Sequence, residues 1–351
     1  MISRRPTVTL KLGNLNIGHE YPITIQSMCN TKTSDIKNTT KQIYELINEG
    51  CQIVRLAIPD MESATAIKQY KHEFKIPLIA DIHFDYKLAI KSIKNGIDAL
   101  RLNPGNIGSK ENVKKVVDIA KEYQIPIRVG VNSGSIAKHI LQKHGISAQS
   151  LVESAMEHVQ ILEDYNYDQI KISVKASSVL LTIQAYRLLA ERTNYPLHLG
   201  VTESGTEFAG SIKSSIGIGA LLAEGIGDTI RVSLTDDPVK EVKVAKTILK
   251  SLGYRKGLEI ISCPTCGRTN IPLIELTKEV ESRLKLYEHL DISVAVMGCE
   301  VNGPGEASHA DFGIAGGKGE GLIFKKGEII QKVKSDELVE QLMQLINNSC
   351  L

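Results

Sequence analysis

With 351 residues, 42 Lys and Arg against 40 Asp and Glu, and a formal net charge of +2, the chain lacks the basic excess of a nucleic-acid binder. Hydrophobic residues make up 42% and charged residues 23%, and no apolar run approaches the roughly 20 residues that cross a bilayer, so a membrane protein is not expected. The opening "MISRRPTVTLKLGN" has charge but no apolar segment behind it, which points to a cytoplasmic protein without signal peptide or anchor.

Single cores seldom grow beyond roughly 250–300 residues, so a large domain and a smaller one are expected. In chain order, β-rich stretches fall at 23–28, 52–58, 78–84, 99–104, 126–132, 169–176, 196–203 and 229–234. Helical patterns separate them. In "SAQSLVESAMEHVQILED", Leu151, Ala155, Val159 and Leu162 share one face behind a Ser147 cap. Eight strand–helix alternations predict a (β/α)8 TIM barrel over 1–257.

Alternate residues of a strand share a face. On that basis Asp81 and His83, Arg101 and Asn103, Arg128 and Asn132, Lys171 and Lys175, and Arg231 and Ser233 form polar pairs between apolar neighbours. The apolar faces belong under the helices, so the polar set, with Arg55, points into the barrel. Glu203 breaks the alternation and is expected just past its strand, on the side where barrel active sites form. The plain alternative is that these charges pair with one another. Yet Arg55, Arg101, Arg128, Arg231, Lys171 and Lys175 outnumber Asp81 and Glu203, and guanidinium forks match phosphate oxygens. A phosphorylated or diphosphorylated small molecule is the expected ligand. Gly217 and Gly219 are read as a helix start used for close packing or a backbone phosphate contact, with packing favoured.

After residue 257 the pattern changes to a cysteine pair, a helix, a strand, a hairpin and a closing helix, a second domain over 258–351. Cys263 and Cys266 in "SCPTCGRT" and Cys299 in "VMGCEVNGPGEA" are the candidate metal ligands. Zinc, with His309 as fourth ligand, and an iron–sulfur cluster, with Glu306 on an iron that can exchange its ligand, both fit this spacing. Cys29, at the mouth, Cys51, as a small buried hydrophobe, and Cys350, in a fraying end, are read as structural.

At "SCPTCGRT" and "VMGCEVNGPGEA" the chain closely resembles the (E)-4-hydroxy-3-methylbut-2-enyl diphosphate synthase family of the methylerythritol phosphate isoprenoid pathway. The likeness continues through "IQSMCNT", "ADIHFDY", "LRLNPGNIG", "IRVGVNSGS", "ISVKAS", "HLGVTESG" and "IRVSLT". It implies the two-domain bacterial form: a barrel similar to dihydropteroate synthase and an α+β domain similar to part of sulfite reductase. It also implies a [4Fe-4S] cluster on Cys263, Cys266, Cys299 and the carboxylate of Glu306. Glu300, where the family commonly has a small or apolar residue, adds a second acid nearby.

The implied reaction is the two-electron reductive ring opening and dehydration of 2-C-methyl-D-erythritol 2,4-cyclodiphosphate, with ferredoxin or flavodoxin as donor. Arg55, Arg101, Asn103, Arg128, Asn132, Lys175, Arg231 and Ser233 would hold the substrate, and Lys171 is a weaker candidate. Glu203 would be the acid, supported by Asp81 and His83. The family resemblance further implies a homodimer in which one chain's cluster domain covers the other's barrel. A hydrolase or aldolase barrel with structural zinc, and a non-catalytic iron–sulfur carrier, are the rival readings.

Overall fold

The computed structural model describes residues 2–299, 305 and 307–350. The chain divides into two compact units, Met1–Tyr254 and Arg255–Leu351. Each is built around a core of its own.

The first unit opens with a hairpin, β1 (Leu10–Leu12) and β2 (Leu15–Ile17), two short strands outside the eight expected. Eight parallel strands follow: β3 (Thr24–Met28), β4 (Ile53–Ala57), β5 (Leu78–Asp81), β6 (Ala99–Arg101), β7 (Ile127–Asn132), β8 (Ile170–Lys175), β9 (His198–Leu199) and β10 (Thr229–Ile230). Their order is β8-β7-β6-β5-β4-β3-β10-β9, and a parallel bridge between Ile172 and Leu197 brings β8 back to β9. This is the expected TIM barrel. The strands are shorter than the stretches read from sequence. His83, Asn103 and Ser233 therefore lie beyond strand ends, in the loops.

Helices follow the strands because each connection supplies a start signal. Asp60 accepts from the Ser63 amide, Ser147 from Ser150 and Ser178 from Leu181, satisfying an otherwise orphaned N–H. Ser147 is thus the cap expected of it. Leu151, Ala155, Val159 and Leu162 are fully buried in the core between barrel and helices. Gly217 and Gly219 need correction: they lie inside the helix Glu207–Ala223 and do not open it. A Cβ on Gly217 would come 2.6 Å from Val201 Cγ2, so close packing explains that glycine. Nothing comparable explains Gly219.

Strand alternation sorts the barrel into two faces. Val54, Leu56, Leu78, Ala80, Leu100, Ile127, Val129, Ile170, Ile172 and Val174 join the core under the helices. At the N-terminal end of the barrel, Leu10, Leu12 and Ile17 of the hairpin pack on Ile53, Ile79 and Ala99, forming an apolar floor.

The second unit carries a five-stranded sheet: β11 (Glu259–Ser262), β12 (Ser293–Met297), β13 (Phe312–Gly316), β14 (Glu320–Lys325) and β15 (Glu328–Lys334). The first three strands are parallel and the last two complete an antiparallel meander. The helix Leu273–Leu284 makes the crossover from β11 to β12, and the closing helix Leu338–Cys350 contributes Leu338, Leu342 and Ile346 to the core. Cys350 belongs to that helix and packs partly against the core, so the expectation of a fraying end is corrected.

The floor gives a direct test. Leu12→Ala removes fully buried methyls from a closed contact and should cost about 2–5 kcal/mol, seen as a thermal midpoint lowered by roughly 5–15 °C. Leu141→Ala, at an exposed position, should leave the midpoint within about 2 °C.

Candidate active site

At the C-terminal end of the barrel the inward residues surround one cavity of about 170 Å³, lined by Arg55, Asp81, His83, Arg101, Arg128, Asn132, Ser173, Lys175, Thr202, Arg231 and Ser233. Nine of the residues singled out from sequence meet there. Strand register sets them side by side: Ala57 faces Asp81, Asp81 faces Arg101, Arg101 faces Arg128, and Asn132 faces Lys175.

Five cationic side chains line this space against one carboxylate. Asp81 is shared, with Oδ1 3.4 Å from Arg101 Nη1 and Oδ2 3.7 Å from Arg55 Nε. Burial pushes the Asp81 carboxyl up, but Arg55, Arg101 and Arg128 outweigh it and hold the acid ionised below its ordinary range. Burial depresses the cations in turn. Arg55 is lowered to about 10, while Arg128 and Lys175 fall well below their ordinary values, each also repelled by its cationic neighbours.

The remaining hydrogen bonds aim the forks. Arg101 donates to the Gly130 carbonyl at 3.0 Å, and its Nη1 lies 3.1 Å from His83 Nε2. A guanidinium can only donate, so His83 Nε2 accepts and the ring proton sits on Nδ1. Arg55 lies with Nη2 2.9 Å from Met28 Sδ. Arg128 reaches Ser173 Oγ at 3.4 Å and leaves its Nε unpartnered among the described residues. Two glycines make room. A Cβ on Gly130 would meet Arg101 Nε at 3.2 Å, and one on Gly200 would meet Lys175 Nζ at 2.8 Å.

Three expected residues behave differently. Asn103 is buried beside the cavity and its amide is taken up by Gly130, donating to the carbonyl at 3.0 Å and accepting from the N–H at 2.9 Å. Glu203 is exposed on the loop after β9 and does not line the cavity, and its φ of 53° places it in the left-handed region rarely taken by residues with a Cβ. Cys29 lies in the core under the helices with its thiol pushed up to about 12 by burial and then by Cys51, so its reading as a mouth residue is corrected. Cys51 is buried as expected.

Sequence reasoning missed Glu241. This residue of the helix Pro238–Ser251 is 3% exposed and accepts from Arg231 Nη2 at 3.2 Å, from the Leu234 amide at 3.0 Å and from Ser27 Oγ at 3.1 Å. A signal was present, because Glu241 falls in the apolar stripe with Pro238, Val242, Ala245, Ile248 and Leu249. Ser173 and Thr202 also escaped notice, being small polar residues with nothing to mark them as site-facing.

In the second unit, Cys263 directly follows β11 and Cys299 follows β12, so the two thiols leave adjacent parallel strands at their C-terminal ends. The Gly298 N–H donates to Cys263 Sγ at 3.2 Å, which joins the two positions. Cys299 is 5% exposed, whereas Cys266 is exposed on the loop between. Among the described residues, no three His, Cys, Asp or Glu side chains approach closely enough to hold one metal ion, and His309 is exposed. Glu306 and Glu300 lie outside the described residues.

Comparison with known proteins agrees with this geometry. The family model described as the GcpE TIM-barrel domain matches residues 7–246, and that of the GcpE protein C-terminal domain matches residues 259–348. Relatives named 4-hydroxy-3-methylbut-2-en-1-yl diphosphate synthase (flavodoxin) include one from Clostridium perfringens, 59% identical over 98% of this chain and 99% of the relative. One from Geobacter sulfurreducens is 56% identical over 96% of both. Among solved structures, dihydropteroate synthase from Xanthomonas albilineans, in complex with 7,8-dihydropteroate, has a TM-score of 0.50 at 14% identity and covers 70% of this chain and 98% of its own. The Yersinia pestis enzyme scores 0.51 at 10% identity, covering 70% of this chain and 100% of its own. These structures establish the barrel alone. Two matching domain models and relatives aligned along almost their whole length place the chain in the GcpE family of 4-hydroxy-3-methylbut-2-en-1-yl diphosphate synthases, oxidoreductases of isoprenoid biosynthesis.

Proposed function

We propose that the chain converts 2-C-methyl-D-erythritol 2,4-cyclodiphosphate to (E)-4-hydroxy-3-methylbut-2-enyl diphosphate. The observation that carries this reading is the cavity in which five basic side chains face a single carboxylate, a positive excess that suits a diphosphate. Cys263, Cys266, Cys299 and Glu306 would hold a [4Fe-4S] cluster, which when bound supplies electrons one at a time. The reaction takes up two electrons and a matching pair of protons, opens the ring by breaking a C–O bond, and releases water.

The barrel residues divide this work. Arg55, Arg101, Arg128, Lys175 and Arg231 grip the diphosphate, with Asn132 and Ser233 completing the polar wall. Asn103 acts indirectly, by holding Gly130 in place beneath Arg101. Asp81 stays ionised and spaces two guanidiniums, so it is unsuited to give up a proton. Glu203, exposed on the mouth side and free of that ion pairing, is the better proton donor to the departing hydroxyl. His83 lines the cavity while Arg101 occupies its Nε2.

The donor we assign is flavodoxin, as in the relatives' names, with ferredoxin as the alternative. The protein works as a homodimer in the cytoplasm. Leu180, Phe208, Ile212 and Ile216 support the former, being exposed apolar side chains on neighbouring barrel helices, three of them spaced by four residues. Among the described residues, no helix is long and apolar enough to cross a membrane.

Arg128→Ala should weaken the binding of inorganic pyrophosphate by more than about tenfold in calorimetric titration, since charge-assisted bonds are lost from a buried site. Unchanged affinity would place the diphosphate elsewhere. Anaerobically purified protein should be brown and contain about four irons per chain, whereas zinc thiolates are colourless. Glu306→Ala, reconstituted without oxygen, should lose most turnover, and full retained activity would remove that carboxylate from the reaction.

A further inference from the structure

The barrel interior beneath the cavity is apolar on one side and polar on the other. On β4 to β6 the lowest inward residues are Ile53, Ile79 and Ala99, which rest on the hairpin floor. On β8, β9, β10 and β3 the same level holds Lys171, His198, Thr229 and Thr24, all buried. Register places Thr229 beside both His198 and Thr24, and Lys171 beside Arg128. Lys171 and His198 are 2% and 0% exposed. Among the described residues, neither Lys171 Nζ nor His198 Nε2 has a hydrogen-bond partner. His198 Nδ1 shares a 2.7 Å bond with Thr229 Oγ1.

An ammonium in such a place meets a guanidinium on one adjoining strand and no partner on the other. Arg128 lies beside it on β7, Lys175 stands two inward positions up on β8 beyond Ser173, and neutral His198 lies on β9. Among the described residues the acid that acts on it, Asp228, precedes β10 and is already held by Arg4 at 2.8 Å, Thr7 Oγ1 at 3.1 Å and the Leu197 amide at 2.8 Å. A cation that is buried, unpaired and crowded by guanidinium is costly, and a lysine can escape the cost by giving up its proton.

We propose that Lys171 is a positioning residue that takes up a proton from solvent when a diphosphate binds above it, so that the site completes its positive charge only in the presence of its anion. This rests on the reading of the cavity as a diphosphate site. The step forms one N–H bond at Lys171 Nζ and moves no electrons. Burial, then Arg128, lower Lys171 to about 7, against a weaker opposing pull from Asp228. His198 is held far below its ordinary range by burial and then by Lys175, Arg128 and Lys171, so it remains neutral throughout. Above pH about 7 the empty protein therefore carries a largely neutral Lys171. An anion bound nearby raises that group's proton affinity, and protons are absorbed on binding. Below that pH the lysine is already charged and absorbs nothing further.

The test is calorimetric titration of the full-length, anaerobically purified protein with inorganic pyrophosphate, in buffers of different ionisation enthalpy. At about pH 8 the wild type should absorb about 0.5–1 proton more per pyrophosphate than Lys171→Met, and at about pH 6 the difference should vanish. Lys171→Arg, which stays charged, should show no such uptake and should bind pyrophosphate more tightly than the wild type at the higher pH. Equal uptake by wild type and Lys171→Met at the higher pH overturns the proposal while leaving the diphosphate site standing. A wild type that binds no pyrophosphate at either pH removes the diphosphate reading and this proposal with it. Lys171→Met should fold, since it exchanges a buried charge for an apolar chain of similar length. If it does not, uptake by Lys171→Arg equal to that of the wild type overturns the proposal.

Discussion

Like charges forced together inside a barrel are the constraint on which the rest of the first unit depends. A TIM barrel is ordinarily filled by branched aliphatic side chains that stabilise it by packing. Here Arg55, Arg101, Arg128, Lys175 and Arg231 occupy that space, and their mutual repulsion is offset by a small number of acids in chosen places. Asp81 stands between two guanidiniums, and Glu241 reaches in from a helix to take Arg231. The balance is left deliberately short of neutral. An anion of the right shape supplies what the protein withholds, so the arrangement that destabilises the empty barrel also gives it affinity and selectivity.

Stability must then come from elsewhere in the unit, and its sources are visible. The outward faces of β3 to β8 form a continuous apolar layer with the helices, and the N-terminal hairpin seals the opposite end with leucine and isoleucine. The polar interior is carried by a scaffold whose packing does not depend on it. Glycines at 130 and 200 belong to the same division, since they keep backbone close and leave lateral space to Arg101 and Lys175.

Much of this was legible in the sequence because strand alternation is a strict geometric rule. Asp81, Arg101, Arg128 and Lys175 sit among Ile, Val, Leu and Ala at spacing two, and a backbone that alternates faces leaves them only one direction to point. What escaped was of two kinds. The strands Leu10–Leu12, Leu15–Ile17 and Glu259–Ser262 hold three or four residues each, too few for periodicity to stand out from a loop. Glu241 and Asn103 owe their roles to partners that only the fold brings to them, Arg231 and Ser27 for the first and Gly130 for the second. Nothing local distinguishes a carboxylate that pairs with Arg231 from one that meets water, beyond its place on an apolar stripe. The lower interior tier was half visible: Lys171 was noticed, but His198 passed as part of an ordinary strand.

The hairpin under the barrel has a consequence for traffic. Among the described residues, leucine and isoleucine close the N-terminal end, which leaves the C-terminal rim as the way into this chamber. Reactant, water and product must therefore queue at one threshold. Anything resting across it governs admission and departure alike, so occupancy and turnover answer to the same gatekeeper.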